Sequence, residues 1–173
     1  MFSYYKSLKR NLTNLGPVLL LYYLSISEID TVFSNKFEIL SFNLQIIIIY
    51  YWMLKSQNIL GSGHVFFAGI INDVIMGLPI GSSALAYLVV SFVALYIRNI
   101  TVNFSLFTDW FTFLIAIFFS NLVFILILHN FSEIRFTYLD IFYNAFFTFL
   151  FYPPFWFFFN IYREITSLKR IDD

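Results

Sequence analysis

The chain has no cysteine. Disulfides, thiolate metal ligands and a cysteine nucleophile are excluded with it. Charge is scarce too: 12% of the 173 residues are Asp, Glu, Lys or Arg, against about 25% in soluble domains. Too few polar atoms remain to cover a surface in water. Disorder is excluded as well, because it needs low hydrophobicity. Ten basic and ten acidic residues cancel, so there is no electrostatic footprint for nucleic acid. No G-x-S-x-G, H-E-x-x-H or P-loop pattern occurs. The two histidines are expected on opposite sides of a membrane, which excludes a shared metal site or proton relay. Asp73 and Asp140 are the only candidates for an acid/base pair, and nothing in the sequence brings them together. We therefore expect no catalytic residues, no cofactor and no metal.

What is present is apolar. Sixty per cent of residues are hydrophobic and 23% aromatic, with mean hydropathy +0.80. A helix needs roughly 20 apolar residues to cross a bilayer. Six segments are read as spans, at about 15–33, 39–54, 65–78, 80–97, 106–128 and 136–158. The expected fold is an all-α integral membrane protein, one polytopic domain forming a six-transmembrane-helix bundle. A signal peptide is the rival reading of the start, but Tyr22 and Tyr23 interrupt its apolar core and no A-x-A-like site follows.

Charge placement orients the bundle. Lys6, Lys9, Arg10, Lys55, Arg98, Arg163, Lys169 and Arg170 fall on one side, Lys36 and Arg135 on the other. The positive-inside rule then puts both termini in the cytoplasm, as for a bacterial inner-membrane protein. Asp109 and Glu164 are expected to be solvated near cytoplasmic ends. Glu28, Asp30, Glu38 and Glu133 are expected at the opposite ends, in plain water-facing loops or as contacts for a basic partner segment, with the loops favoured. The stretch Asn99 to Asp109 is expected to lie in the membrane interface.

Most of the information lies between Gly61 and Arg98. Gly69, Asn72, Asp73, Met76 and Ile80 would share one small, polar helix face. Gly69 and Gly77 flank Asp73 at four-residue spacing, as in a small-residue packing seam. Gly77-Leu78-Pro79-Ile80-Gly81 reads as a tight turn. Ser83, Tyr87, Ser91 and Ala94 form a second seam on the next helix. Asp73 costs about 2.5–3.5 kcal/mol at the bilayer centre. It is read either as a hydrogen-bonded clamp on the turn or as a binding site within the bundle, with the clamp favoured.

The last span carries a second polar stripe, Asp140, Asn144 and Thr148, suited to interhelical hydrogen bonds or to the rim of a cavity. Pro153-Pro154 is expected to break that helix. Phe155 to Phe159 is expected to anchor in the interface, and Arg163, Lys169 and Arg170 to meet anionic membrane lipids.

The pattern of Gly69, Asp73, Gly77, Pro79 and Gly81, preceded by the apolar run Ile46 to Trp52, resembles the MreD family of rod-shape proteins. Chain length, six spans and a basic C-terminus also fit. The resemblance implies a non-enzymatic scaffold of the cell-wall elongation complex that maintains rod shape by helix packing. Its implied partners are MreC, MreB, RodA and a class B penicillin-binding protein, with a homo-oligomer allowed. It also implies a fold like the substrate-binding subunits of ECF transporters. A small-molecule transport component is therefore the alternative, distinguished by a closed, ligand-sized pocket lined by polar groups near the outer face, with Asp73 and Asp140 both lining it, where a scaffold should show a filled core.

Overall fold

The computed structural model describes residues 15–27, 42–101, 105–131 and 138–168, with side chains to Thr166. Six helices account for nearly all of them: α1 Leu15–Ile26, α2 Leu44–Ser56, α3 Ser62–Ile75, α4 Ser82–Ile100, α5 Leu106–Phe131 and α6 Tyr138–Leu168. There is no strand among the described residues. Lys6, Lys9, Arg10, Glu28, Asp30, Lys36, Glu38, Glu133, Arg135, Lys169 and Arg170 lie outside them.

Three helices, α4, α5 and α6, are long and apolar enough to cross a membrane. α1, α2 and α3 are apolar but shorter. The 13 residues of α2 rise about 20 Å, less than a hydrocarbon core of about 30 Å. Of the stretch Asn99 to Asp109, α4 takes in Asn99 and Ile100 and α5 starts at Leu106, while residues 102–104 lie outside the described ones.

α2 is the axis of the bundle. Every residue from Ile46 to Leu54 is buried, as befits a helix that is apolar all round. α4, α5 and α6 pack on it, and α1 adds Val18 and Leu21 to the same core. The outer helices each bury one stripe. On α5 it is Asp109, Phe113, Ala116, Ile117 and Ser120; on α6 it is Thr148, Tyr152 and Phe159. These spacings keep to one helical face. The rest of both helices turns large apolar side chains outward, among them Phe111, Phe118, Phe142, Phe146 and Phe158. The tract Phe155 to Phe159 is thus divided, with Phe159 in the core and only Phe157 and Phe158 exposed.

α6 runs unbroken through Pro153 and Pro154, against expectation. Proline at 153 removes the amide that would bond the Phe149 carbonyl one turn back. Trp110 of α5 supplies a donor in its place, its Nε1 2.9 Å from that oxygen. A neighbouring helix has re-satisfied a freed backbone group, which is how proline is tolerated inside a membrane helix.

α3 and α4 meet at Gly69. A Cβ there would overlap the backbone of Ala84, so glycine sets the approach of the two helices. Gly69→Val is expected to force them apart and cost about 3 kcal/mol. Thermal unfolding of the purified protein measures this, and a variant as stable as the parent would show that the contact is dispensable. Gly77 works differently from the seam residue it was expected to be. It lies beyond the helix with φ +63 and contacts nothing that a Cβ would strike.

Candidate functional site

The turn after α3 is built by backbone chemistry. Leu78 N–H bonds the Asp73 carbonyl at 2.9 Å across the left-handed Gly77, the six-to-one bond of a Schellman motif. Pro79 follows, and its carbonyl accepts from Ser82 N at 3.1 Å. Gly81, with φ +102, then starts α4. The polar face of α3 therefore stops at Asp73. Met76 is the helix cap, and Ile80 sits in the turn, 75% exposed.

Asp73 is fully buried, and its carboxylate closes the turn. Oδ2 accepts from Gly81 N at 2.8 Å. Oδ1 accepts from Ser82 Oγ at 2.9 Å and Ser83 N at 2.7 Å. The first amides of a helix have no partner within it, and the helix dipole favours negative charge there. Asp73 thus caps the next helix from the previous one. The counter-charge missing from the sequence is the N-terminus of α4.

Beside this clamp runs a chain of hydrogen bonds through four helices. Gln45 on α2 is its hub. Its Nε2 reaches Asn72 Oδ1 on α3 at 3.1 Å and Ser25 Oγ on α1 at 3.4 Å. Its Oε1 accepts from the Tyr87 hydroxyl on α4. Asn72 Nδ2 continues to Ser83 Oγ at 3.1 Å. The two seams meet through Asn72 and Ser83, while Tyr87 of the second turns to Gln45 of α2. Gln45 was not singled out in the sequence. A polar residue in the first turn of α2, two positions after the N-cap Asn43, reads as surface until its partners, 20 to 42 positions away, are known.

The same network forms one wall of a cavity of about 420 Å³. All six helices reach it, from Leu24 of α1 to Asn144 of α6. Among the expected site residues Asn72, Asp140 and Asn144 line it; Gly69, Asp73, Gly77, Pro79 and Gly81 do not. Asp140 is exposed and Asn144 half-buried. Thr148 below them is buried, donating to the Asn144 carbonyl at 2.6 Å and accepting from Asn43 N at 2.8 Å. Asp73 and Asp140 are therefore not a reacting pair, since one is fully engaged and only the other faces the cavity.

The opposite end of the bundle is closed by an ion pair. Lys55 Nζ, in the last turn of α2, lies 2.7 Å from Asp109 Oδ2 in the first turn of α5. Trp156 Nε1 of α6 donates to the same oxygen at 2.9 Å. Side-chain exposures are 6% for Lys55 and 1% for Asp109, so Asp109 is not the solvated residue that was expected. Each charge also opposes its own helix dipole favourably. Below the pair Phe113 stacks on Tyr152 at 4.4 Å, and Tyr50 meets Phe113 tilted at 4.9 Å and Tyr152 edge-on at 5.8 Å. This half of the core is filled.

His64 at the start of α3 bonds the Tyr22 hydroxyl at 3.1 Å, and His129 lies in the last turn of α5. Among the described residues no three His, Asp or Glu side chains gather as a metal ion would require. Comparison with protein-family models, with curated proteins and with solved structures finds no significant match for this chain.

Proposed function

We propose that this chain is a non-enzymatic membrane scaffold of the cell-wall elongation complex, in the manner of the MreD family. It would be a six-span protein of the bacterial inner membrane with both ends in the cytoplasm. Its work is to hold partner membrane proteins by lateral helix packing and so maintain rod shape. The observation that carries this reading is the outer surface. α6 has 31 residues yet buries only Thr148, Tyr152 and Phe159 among its described side chains. A long aromatic face that the bundle itself does not use suits contact with another helix. The clamp at Asp73 supports the same reading, because it gives the motif that resembles MreD a structural task. Bitopic MreC and the polytopic synthase RodA with its class B penicillin-binding protein are partners that can reach α5 and α6 within the membrane. MreB would be met by the cytoplasmic ends.

The test is in cells. Photoreactive side chains placed at Phe146 and Phe157, both exposed, should yield adducts whose masses identify MreC- or RodA-type proteins, and depletion of the chain should round the cells. Rods that keep their shape after depletion would end the scaffold reading.

A transport component is the second reading, and the cavity is the observation in its favour. It is ligand-sized and carries amides and Asp140 in its lining, but it is half open and Asp73 does not line it. A substrate subunit would have to show uptake that fails when Asn144 is replaced.

A further inference from the structure

A second concavity lies on the outer face between α5 and α6, with a volume of about 570 Å³. Its walls include Leu114, Phe118, Leu122, Phe142 and Phe146, all of them exposed. It is a hydrocarbon groove. Asn121 and Ile141 border this groove and also the polar cavity. Two side chains therefore stand between a half-open chamber, lined by amides amid largely apolar surface, and an apolar groove on the outer face.

The polar chamber is rich in groups of one kind. Asn43, Gln45, Asn72, Asn121 and Asn144 bring amides to its lining and Tyr87 a hydroxyl; Gln45, Asn72 and Tyr87 already bond one another, which leaves a guest their spare lone pairs and one Asn72 amide proton. Amides offer both donors and acceptors. No Lys, Arg or His lines the chamber among the described residues, and its one charge is Asp140. A phosphate group would meet a carboxylate with no counter-cation, which is unfavourable. Phe42 and Phe124 add apolar ring walls. Alternating hydroxyls with an apolar face are what such a surface complements.

Asn121 is the second observation. It sits midway along α5, the most apolar of the long helices. It is half-buried, and its amide has no hydrogen-bond partner among the described residues. An amide left unpaired in apolar surroundings costs free energy. Its position on the threshold gives it a task that no contact within the chain accounts for.

We propose that chamber and groove are one site for an amphiphile: a lipid with an uncharged, sugar-like head, held by the amides and hydroxyls of the chamber, with its hydrocarbon chain lying between α5 and α6. The head enters sideways past Asn121, which donates to one of its hydroxyls. The inference stands apart from the scaffold reading, since a scaffold and a transport subunit can each hold such a lipid. Cell shape reports on the one and lipid retention on the other.

The experiment uses the full chain, purified in a detergent without a sugar head and placed in phosphatidylcholine nanodiscs. The discs are doped in parallel with glucosyl-diacylglycerol, phosphatidylglycerol or phosphatidylethanolamine, and native mass spectrometry counts the lipid retained. Glucosyl-diacylglycerol should be kept at least about tenfold better than phosphatidylglycerol. Asn121→Leu should lower that retention about tenfold while thermal stability is kept. Leu122→Trp, which fills the groove from an exposed position, should do the same. Equal retention of the three lipids, or preference for either phospholipid, would overturn the proposal. So would unchanged glycolipid retention in both variants, which would place the lipid elsewhere on the bundle.

Discussion

Asp73→Leu should be among the most damaging single changes in this chain, lowering stability by about 4 kcal/mol. The carboxylate accepts from two backbone amides and one hydroxyl, and leucine accepts from none. Each buried donor left without a partner costs about 1–3 kcal/mol. The N-terminus of α4 also loses the negative charge that balances its dipole. Asp73→Asn should fall between, because its carbonyl oxygen keeps part of the cap while its amino group confronts a donor. Ser82→Ala removes a single bond and should cost about 1 kcal/mol. Thermal or denaturant unfolding of the purified protein ranks the three. Equal stability of Asp73→Leu and the parent would mean that Gly81 and Ser83 find other acceptors, and the clamp would have no role.

Breaking the ion pair at the other end should have a comparable effect with a different signature. Lys55→Met leaves Asp109 buried without its cation, and Asp109→Leu strands Lys55. Either should cost about 3–5 kcal/mol. The double variant should recover most of this, because replacing both buried charges with apolar groups is often nearly neutral. The residual loss is the Trp156 indole, whose acceptor is gone. A double-mutant cycle on unfolding free energies reads the coupling directly. Single losses that simply add in the double variant would show that Lys55 and Asp109 do not depend on each other.

The sequence made some elements plain and hid others, for reasons that differ residue by residue. Gly77, Pro79 and Gly81 announce a turn because their backbone chemistry is local, and the turn lies where they stand. α5 begins at the expected Leu106, and the long run Trp110 to Leu128 that makes it plain carries no Asp, Glu, Lys or Arg. The burial of α2 was not visible: a run such as Ile46 to Leu54 looks the same whether lipid or protein surrounds it. Length separates the helices too, since only α4, α5 and α6 meet the span criterion while six spans were expected. Asp109 read as solvated because its partner lies 54 positions earlier, in the last turn of another helix. Pro153 and Pro154 read as a break because the donor that mends the helix comes from Trp110. The cavity was foreseen only as a possible rim at Asp140 and Asn144. Its opposite wall depends on Gln45, which gains meaning only once four helices are assembled. Local grammar is legible in one dimension; cross-helix repair is not.

The central position of α2 has a consequence for how the molecule is made. The helix that needs the most company emerges second, and three of the helices that enclose it are synthesised after it. Its first amide waits for Thr148 and its last lysine for Asp109, 105 and 54 residues downstream. Until α6 leaves the ribosome, α2 has no finished enclosure. A nascent chain halted before α5 leaves Lys55 without its counter-ion, and one halted before α6 leaves the Asn43 amide without its acceptor.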